Sequence, residues 1–258
     1  MEIYSGYAAL YILMSLVPLV MLVISAGMIL SAFSAEDVCG FLYRLLPNVP
    51  EVQEMMENIV TNLLQQSGRT VVSISAVTTL WSASNGLSAI QAGLEKIRGT
   101  RRPSFKGKPR ALLFTVLYVL LIPALLVFQI LRSSVESLLN SLFTALHLDP
   151  LISKIPQFMG LSSLIVLAAS ILIIVLTYTW LPAGRKTLKS QLPGAVSSCV
   201  FCTAFTLGFS WFIPRFWKAS SIYGSLAAVF LTAMWLNIMI TILFYGAALN
   251  RALEDKNT

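Results

Sequence analysis

Charged side chains are scarce in this chain. Asp, Glu, Lys and Arg make up 11% of its 258 residues, less than half of the roughly 25% usual in a soluble domain. A globule in water must cover itself with polar groups, and this sequence has too few, which excludes a soluble enzyme and a disordered chain. Cysteine occurs three times (Cys39, Cys199, Cys202), too rarely for a disulfide scaffold. Cys199 and Cys202 form a C-x-x-C, but inside an apolar run and without a second ligand pair, so they read as small apolar helix residues. The single histidine, His147, has no nearby Cys or His and reads as a surface residue. There is no phosphate-binding P-loop, no GxSxG and no HExxH. What the chain has in abundance is apolar: 57% hydrophobic residues and a mean hydropathy of +0.79. It reads as a membrane protein.

About 20 mainly apolar residues cross ~30 Å of hydrocarbon, and six segments qualify: Gly6–Ile29, Thr70–Ala89, Ala111–Leu131, Leu161–Leu181, Pro193–Ile213 and Tyr223–Leu249. The first is too long for the apolar core of a signal peptide and has no basic residues before it. None of the six contains Asp, Glu, Lys, Arg or His, which argues against a proton relay or a voltage sensor. The second, TVVSISAVTTLWSASNGLSA, is crowded with Ser and Thr. Such a helix belongs inside a bundle, where small residues permit close packing and hydroxyls find partners.

The excess of basic over acidic residues, 18 against 11, is distributed unevenly. Twelve basic residues fall in the segment 91–110, in Arg185–Lys189 and in the tail after Asn250, against six on the other side. By the positive-inside rule both termini are cytoplasmic, which agrees with an even number of spans. The stretch from Glu95 to Arg110 is broken by Gly and Pro and reads as a loop. It could attract anionic head groups, but no specific nucleic-acid recognition follows from it. On the outer side, Val52, Met55, Met56, Ile59, Val60, Leu63 and Leu64 recur at helical spacing within Pro50–Gln66, opposite Glu51, Glu54 and Glu57. A second such pattern runs from Arg132 to Leu146. Each predicts an extracytoplasmic amphipathic helix, and the acidic face of the first favours docking on protein over anionic lipid.

The expected fold is therefore all-α: residues 1–258 form one integral membrane domain, a bundle of six transmembrane helices with two outer amphipathic helices. Isolated amides at membrane depth, Asn85, Gln129 and Asn237, each need a partner or a wet cavity. With Tyr11, Ser15 and Ser84 they are candidates for a neutral polar path or for bonds between helices. The cytoplasmic carboxylates Glu2, Glu95, Glu254 and Asp255 fall in three separate places, a poor basis for metal-dependent phosphodiester cleavage. No enzymatic chemistry, metal or cofactor is expected.

Several short motifs recur in a familiar order. The first span holds Gly6-Tyr7-Ala8-Ala9-Leu10-Tyr11 and Ser15-Leu16-Val17-Pro18-Leu19. The second holds Trp81-Ser82-Ala83-Ser84-Asn85-Gly86, and the fifth opens Leu192-Pro193-Gly194-Ala195. The sixth begins Tyr223-Gly224-Ser225-Leu226, continues through Trp235-Leu236 and ends Gly246-Ala247-Ala248-Leu249-Asn250. In this order and spacing the chain resembles the YihY/BrkB family of bacterial inner-membrane proteins over nearly its whole length. The resemblance implies a six-helix protein of the bacterial cell membrane, with members regarded as transporters or as virulence factors linked to serum resistance. Some members were long labelled ribonuclease BN, a name generally regarded as a misassignment. Members usually carry a longer cytoplasmic stretch before the first span, where this sequence has only Met1 to Ser5.

The motif residues also have a physical reading. Pro193 suits a first helical turn, Gly194, Gly224 and Gly246 suit close helix approach, and Pro18 and Pro123 are expected to kink their helices. The expected function is a transporter or lipid-translocating protein for a neutral or lipidic substrate. The alternative is a non-transporting scaffold for envelope assembly or resistance. Membrane lipids are the expected partners, with an envelope protein or a second copy as further ones. A reporter fused after Thr258 should be cytoplasmic, and an external reporter would overturn the assignment of both ends to the inside.

Overall fold

A computed structural model describes residues 2–30, 43, 46–66, 69–100, 109, 111–121, 161–184, 186–216 and 225–256. They form seven helices: α1 (Glu2–Leu30), α2 (Pro50–Gln66), α3 (Arg69–Arg98), α4 (Ala111–Leu121), α5 (Leu161–Trp180), α6 (Leu188–Phe216) and α7 (Ser225–Lys256). No strand occurs among the described residues. Three helices, α1, α6 and α7, are long and apolar enough to cross a membrane, and α4 and Leu167–Trp180 of α5 are shorter apolar helices. The segment Arg132–Leu146 and residues Cys39, Pro123, Gln129, His147, Tyr223 and Gly224 lie outside the described residues.

The helices are packed inside out relative to a soluble bundle. On α1, Ser5, Ala8, Ala9 and Ser15 are buried, while Ile3, Tyr7, Leu10, Met14 and Val17 are exposed. The exposed set recurs at steps of three and four and makes one helical face, and the buried small residues lie on the other. On α3 the buried face carries Ser75, Thr79, Ser82 and Gly86, and the exposed face Ile74, Val77 and Trp81. In water each exposed large side chain would forgo about 1.5–3 kcal/mol of burial. Lipid tails are as apolar as leucine, so in a bilayer nothing is forgone, and small residues go inside because they let backbones approach. A Cβ added at Gly86 would come within 2.9 Å of Ile12 on α1. The hydroxyl-rich helix thus turns its small and polar face inward, and its other face stays exposed.

Helix ends differ from the sequence reading in two places. The segment Glu95–Arg98, read as loop, continues α3. The helix stops at Gly99 (φ +69°), whose N–H donates to Lys96 O (3.2 Å) while the Thr100 N–H donates to Glu95 O (3.0 Å). That is a Schellman closure, which needs the left-handed backbone that glycine adopts without cost. At the other correction, α6 begins at Leu188, so Pro193 lies inside the helix rather than in its first turn. α1 likewise continues through Pro18 as one helix. At the opposite end of the bundle, Pro50 opens α2 as its first residue, and Val52, Met56 and Val60 are buried while Glu54 and Glu57 are exposed. Val49 and Val52 pack with Phe209 and Ile213 of α6 and with Leu231 and Trp235 of α7. The Asn48 N–H donates to Ser210 Oγ (3.0 Å).

At the glycines among the described residues, the tightest approach of backbone to backbone lies between α6 and α7. A Cβ on Gly194 would overlap Gly246 O, and one on Gly246 would meet Ser198 Oγ and Gly194 O. Tyr178 of α5, fully buried, reaches this crossing. Its hydroxyl lies 2.8 Å from Ser198 Oγ and donates to Leu243 O at 2.5 Å. Gly246→Val should therefore overpack the crossing and lower the melting temperature of the detergent-purified protein by about 2–10 °C. Gly208→Val on the same helix, with nothing within 4 Å of its Cβ position, should leave it unchanged. Equal melting points for the two variants would show that the crossing does not limit stability.

Candidate functional site

Among the described residues, a connected polar cluster lies where α3 and α5 end, α6 begins and α7 ends. Asn250 of α7, 1% exposed, bridges Pro193. Its Oδ1 accepts from the Gly194 N–H (2.6 Å), and its Nδ2 donates to Gln191 O (3.1 Å) and Gln191 Oε1 (3.4 Å). Only an amide offers a donor and an acceptor side by side at this reach. Gln191, 3% exposed, continues the network through Nε2, which donates to Ser190 Oγ (3.1 Å) and Glu254 Oε1 (3.0 Å). Lys186 donates to the other carboxylate oxygen of Glu254 at 2.7 Å.

Two arginines occupy helix C-termini, where orphan carbonyls carry partial negative charge. Arg98 of α3 donates to Tyr178 O in the last turn of α5 and to Gln191 Oε1 (3.1 Å). Arg251 of α7 donates to Ile97 O in the last turn of α3. Glu95 Oε1 accepts from Gln91 Nε2 (3.0 Å) and from the Ala183 N–H (3.1 Å) just beyond α5. Burial pulls the Arg98 guanidinium down from its ordinary value, opposed by the charge of Glu254. For Glu254, burial raises the carboxyl, but hydrogen bonds from Lys186 and Ser190 and the charges of Lys186 and Arg98 outweigh it and hold the group below the usual range.

Of the motif residues, Gly194, Gly246 and Asn250 are brought together at this cluster. Pro193 is exposed on its outer side and Pro18 half-buried in α1. Trp235 lies at the other end, 7% exposed, donating through Nε1 to Thr206 Oγ1 (3.2 Å). Trp81 is exposed, with its ring edge-on to Tyr11 at 6.3 Å. The candidate path residues are placed differently. Ser15 is buried, but its hydroxyl donates to Ile12 O of its own helix (2.7 Å). Tyr11, Ser84 and Asn85 are half-buried. Asn237 is half-buried, and its Oδ1 is enclosed without a hydrogen-bond partner, as is Thr79 Oγ1. Cys202 Sγ lies 3.9 Å from Met239 O, in the packing of α6 on α7. An apolar groove of about 550 Å³ runs between these two helices past Phe201, Phe205, Ile242, Tyr245 and Leu249, with Ser197 and Ser198 in its lining.

Sequence reading missed Arg98, Gln191, Tyr178, Glu95 and Glu254 as one site. Their i, i+3 or i, i+4 spacing (Gln91/Glu95/Arg98 on α3, Asn250/Glu254 on α7) was the available signal, since it puts polar residues in line along one helical face.

All-helical among the described residues, with three helices long and apolar enough to cross a bilayer, the chain is a membrane protein. It belongs to the virulence factor BrkB family, whose model matches residues 1–258. The chain is 22% identical over 256 residues to the ribonuclease-like protein YfkH of Bacillus subtilis, covering 98% of this chain and 90% of that one. It is 24% identical over 260 residues to a UPF0761 membrane protein of Pseudoalteromonas translucida (98% and 81% covered). A UPF0761 membrane protein of Aliivibrio salmonicida is 24% identical over 266 residues (100% and 80%). No solved structure matches.

Linkage gives the cluster a pH signature. A carboxyl depressed by folding contributes stability that is fully present above its ordinary value of 4.5 and is lost as pH falls through the depressed value. Wild type should melt above Glu254→Gln at neutral pH, and the gap should close on acidification below pH 4.5. A gap independent of pH would show that the charge of Glu254 adds nothing.

Proposed function

We propose that this protein is a six-span protein of the bacterial inner membrane, with both termini in the cytoplasm, that translocates a neutral or lipidic substrate. The carrying observation is that, of the four enclosed polar side-chain atoms without partners among the described residues, two lie within the apolar spans, Thr79 Oγ1 on α3 and Asn237 Oδ1 on α7, the others being Glu51 Oε2 and Arg98 Nη1 at the helix ends. The Phe244 ring fills the space that a Cβ on Gly93 would need, which sets the register of these helices. In that register Asn237 lies near the level of Gly86, and Thr79 lies about two turns, roughly 10 Å, further along. An unpaired amide or hydroxyl in hydrocarbon costs on the order of 1–3 kcal/mol. Two of them at different depths in the bundle fit stations for a polar group that comes and goes. The groove between α6 and α7 offers an apolar chain a side entrance from the bilayer.

Enzymatic cleavage of RNA fits less well. Glu95 and Glu254 are occupied by N–H donors, amide and ammonium groups. A scaffold role is favoured by one observation: α2 is docked by its apolar face and leaves Glu54 and Glu57 outward, a polar surface for an envelope partner. Crosslinking in cells separates the two readings, since stoichiometric capture of a protein favours the scaffold and capture of lipid alone favours translocation.

Purified protein in liposomes should move fluorescent phospholipid between leaflets faster than empty vesicles do. Asn237→Leu, which removes the unpaired amide oxygen and roughly keeps the volume, should lower that rate about tenfold while leaving the melting point unchanged or raised. A rate no greater than that of empty vesicles would overturn the proposal.

A further inference from the structure

A second cleft, of about 410 Å³, opens where the start of α1 meets the ends of α3 and α7. Tyr4, Lys96, Arg251 and Asp255 stand around it, and Gly93 and Ala248 contribute apolar lining. Lys96 Nζ lies 5.5 Å from the centroid of the Tyr4 ring and makes no ion pair among the described residues. Arg251 donates one N–H to Ile97 O, and its Nε stands 3.7 Å from Asp255, whose side chain is 73% exposed. The last carbonyls of α3 would repel an anion, but those of Glu95, Lys96 and Ile97 are already occupied by the Thr100 and Gly99 N–H groups and by Arg251.

Depth identifies the occupant. Lys96 lies seven residues beyond Ala89, the end of the apolar stretch of α3, or about 10 Å along the helix axis, just outside a headgroup layer about 5–8 Å thick, into which its long side chain can reach back. Tyr4 is the kind of residue that settles at this level. We propose that this cleft holds the phosphate of an anionic phospholipid between Lys96 and Arg251, with the glycerol end over Gly93 and Ala248. Two cations against one exposed carboxylate give the site the charge a phosphodiester requires. The site needs only that this end of the helices emerges at a membrane surface. It does not need translocation, so a negative result in the leaflet assay would leave it standing.

Native mass spectrometry of the full chain in neutral detergent, titrated with phosphatidylglycerol or phosphatidylcholine, tests this. Wild type should retain one phosphatidylglycerol severalfold more tightly than phosphatidylcholine, and millimolar inorganic phosphate should not displace it. Lys96→Gln should cut the preference about fivefold, and Arg251→Gln by a similar factor. Because Arg251 also caps α3, its loss can damage the fold. Asp255→Asn, which removes the competing carboxylate, should instead strengthen phosphatidylglycerol binding. Equal retention of the two lipids would overturn the proposal, as would an unchanged preference in both Lys96→Gln and Asp255→Asn. Displacement by inorganic phosphate would replace the lipid with a free anion and overturn it too.

Discussion

The contact on which the rest depends is the one between the backbones of α6 and α7 at Gly194 and Gly246. In hydrocarbon, apolar side chains gain nothing by leaving lipid for protein, so helices are held by close contact and by polar groups that have nowhere else to go. The two glycines bring main chain against main chain. Once that close, Asn250 reaches across to the Gly194 N–H and the Gln191 carbonyl, and Tyr178 reaches Ser198 and Leu243. Any side chain at either glycine would separate these partners, and each would then be an unpaired polar group in a medium without water.

Pro193 takes its meaning from this crossing. Inside α6 it has no N–H to give to the carbonyl of Lys189, and its ring disturbs the local helix bonding. The Asn250 amide spans this place, serving the N–H after the proline and a carbonyl before it. A proline, a glycine and an asparagine far apart in the chain thus form one structural unit.

The arginines solve a different problem at the same end. α3, α5 and α7 all finish there, and their free carbonyls concentrate negative partial charge. Arg98 caps α5 and Arg251 caps α3. Lys186 neutralises Glu254, which in turn holds Gln191 in place. Basic residues that orient a membrane protein thereby also fasten its helices to one another. Lys96, on the same end of α3, stays exposed.

Composition and periodicity determined the all-helical, lipid-solvated character of this chain. They also determined the inward Ser/Thr face of α3 and the inward face of α2, because in each case one helix and its solvent fix the answer. Asn250 and Gly246 stood out only as motif residues, and Arg98 read as one charge in a basic loop. The role of Gly246 depends on Gly194 and Ser198 of another helix. Those of Asn250 and Arg98 depend on partners 56 to 93 positions away, and α3 runs on to Arg98 because a glycine with positive φ at position 99 turns it there. Local sequence sets which face of a helix avoids lipid. Which polar atom meets which is set only when the helices cross, because hydrogen bonds are decided within tenths of an ångström by backbones that the sequence does not place.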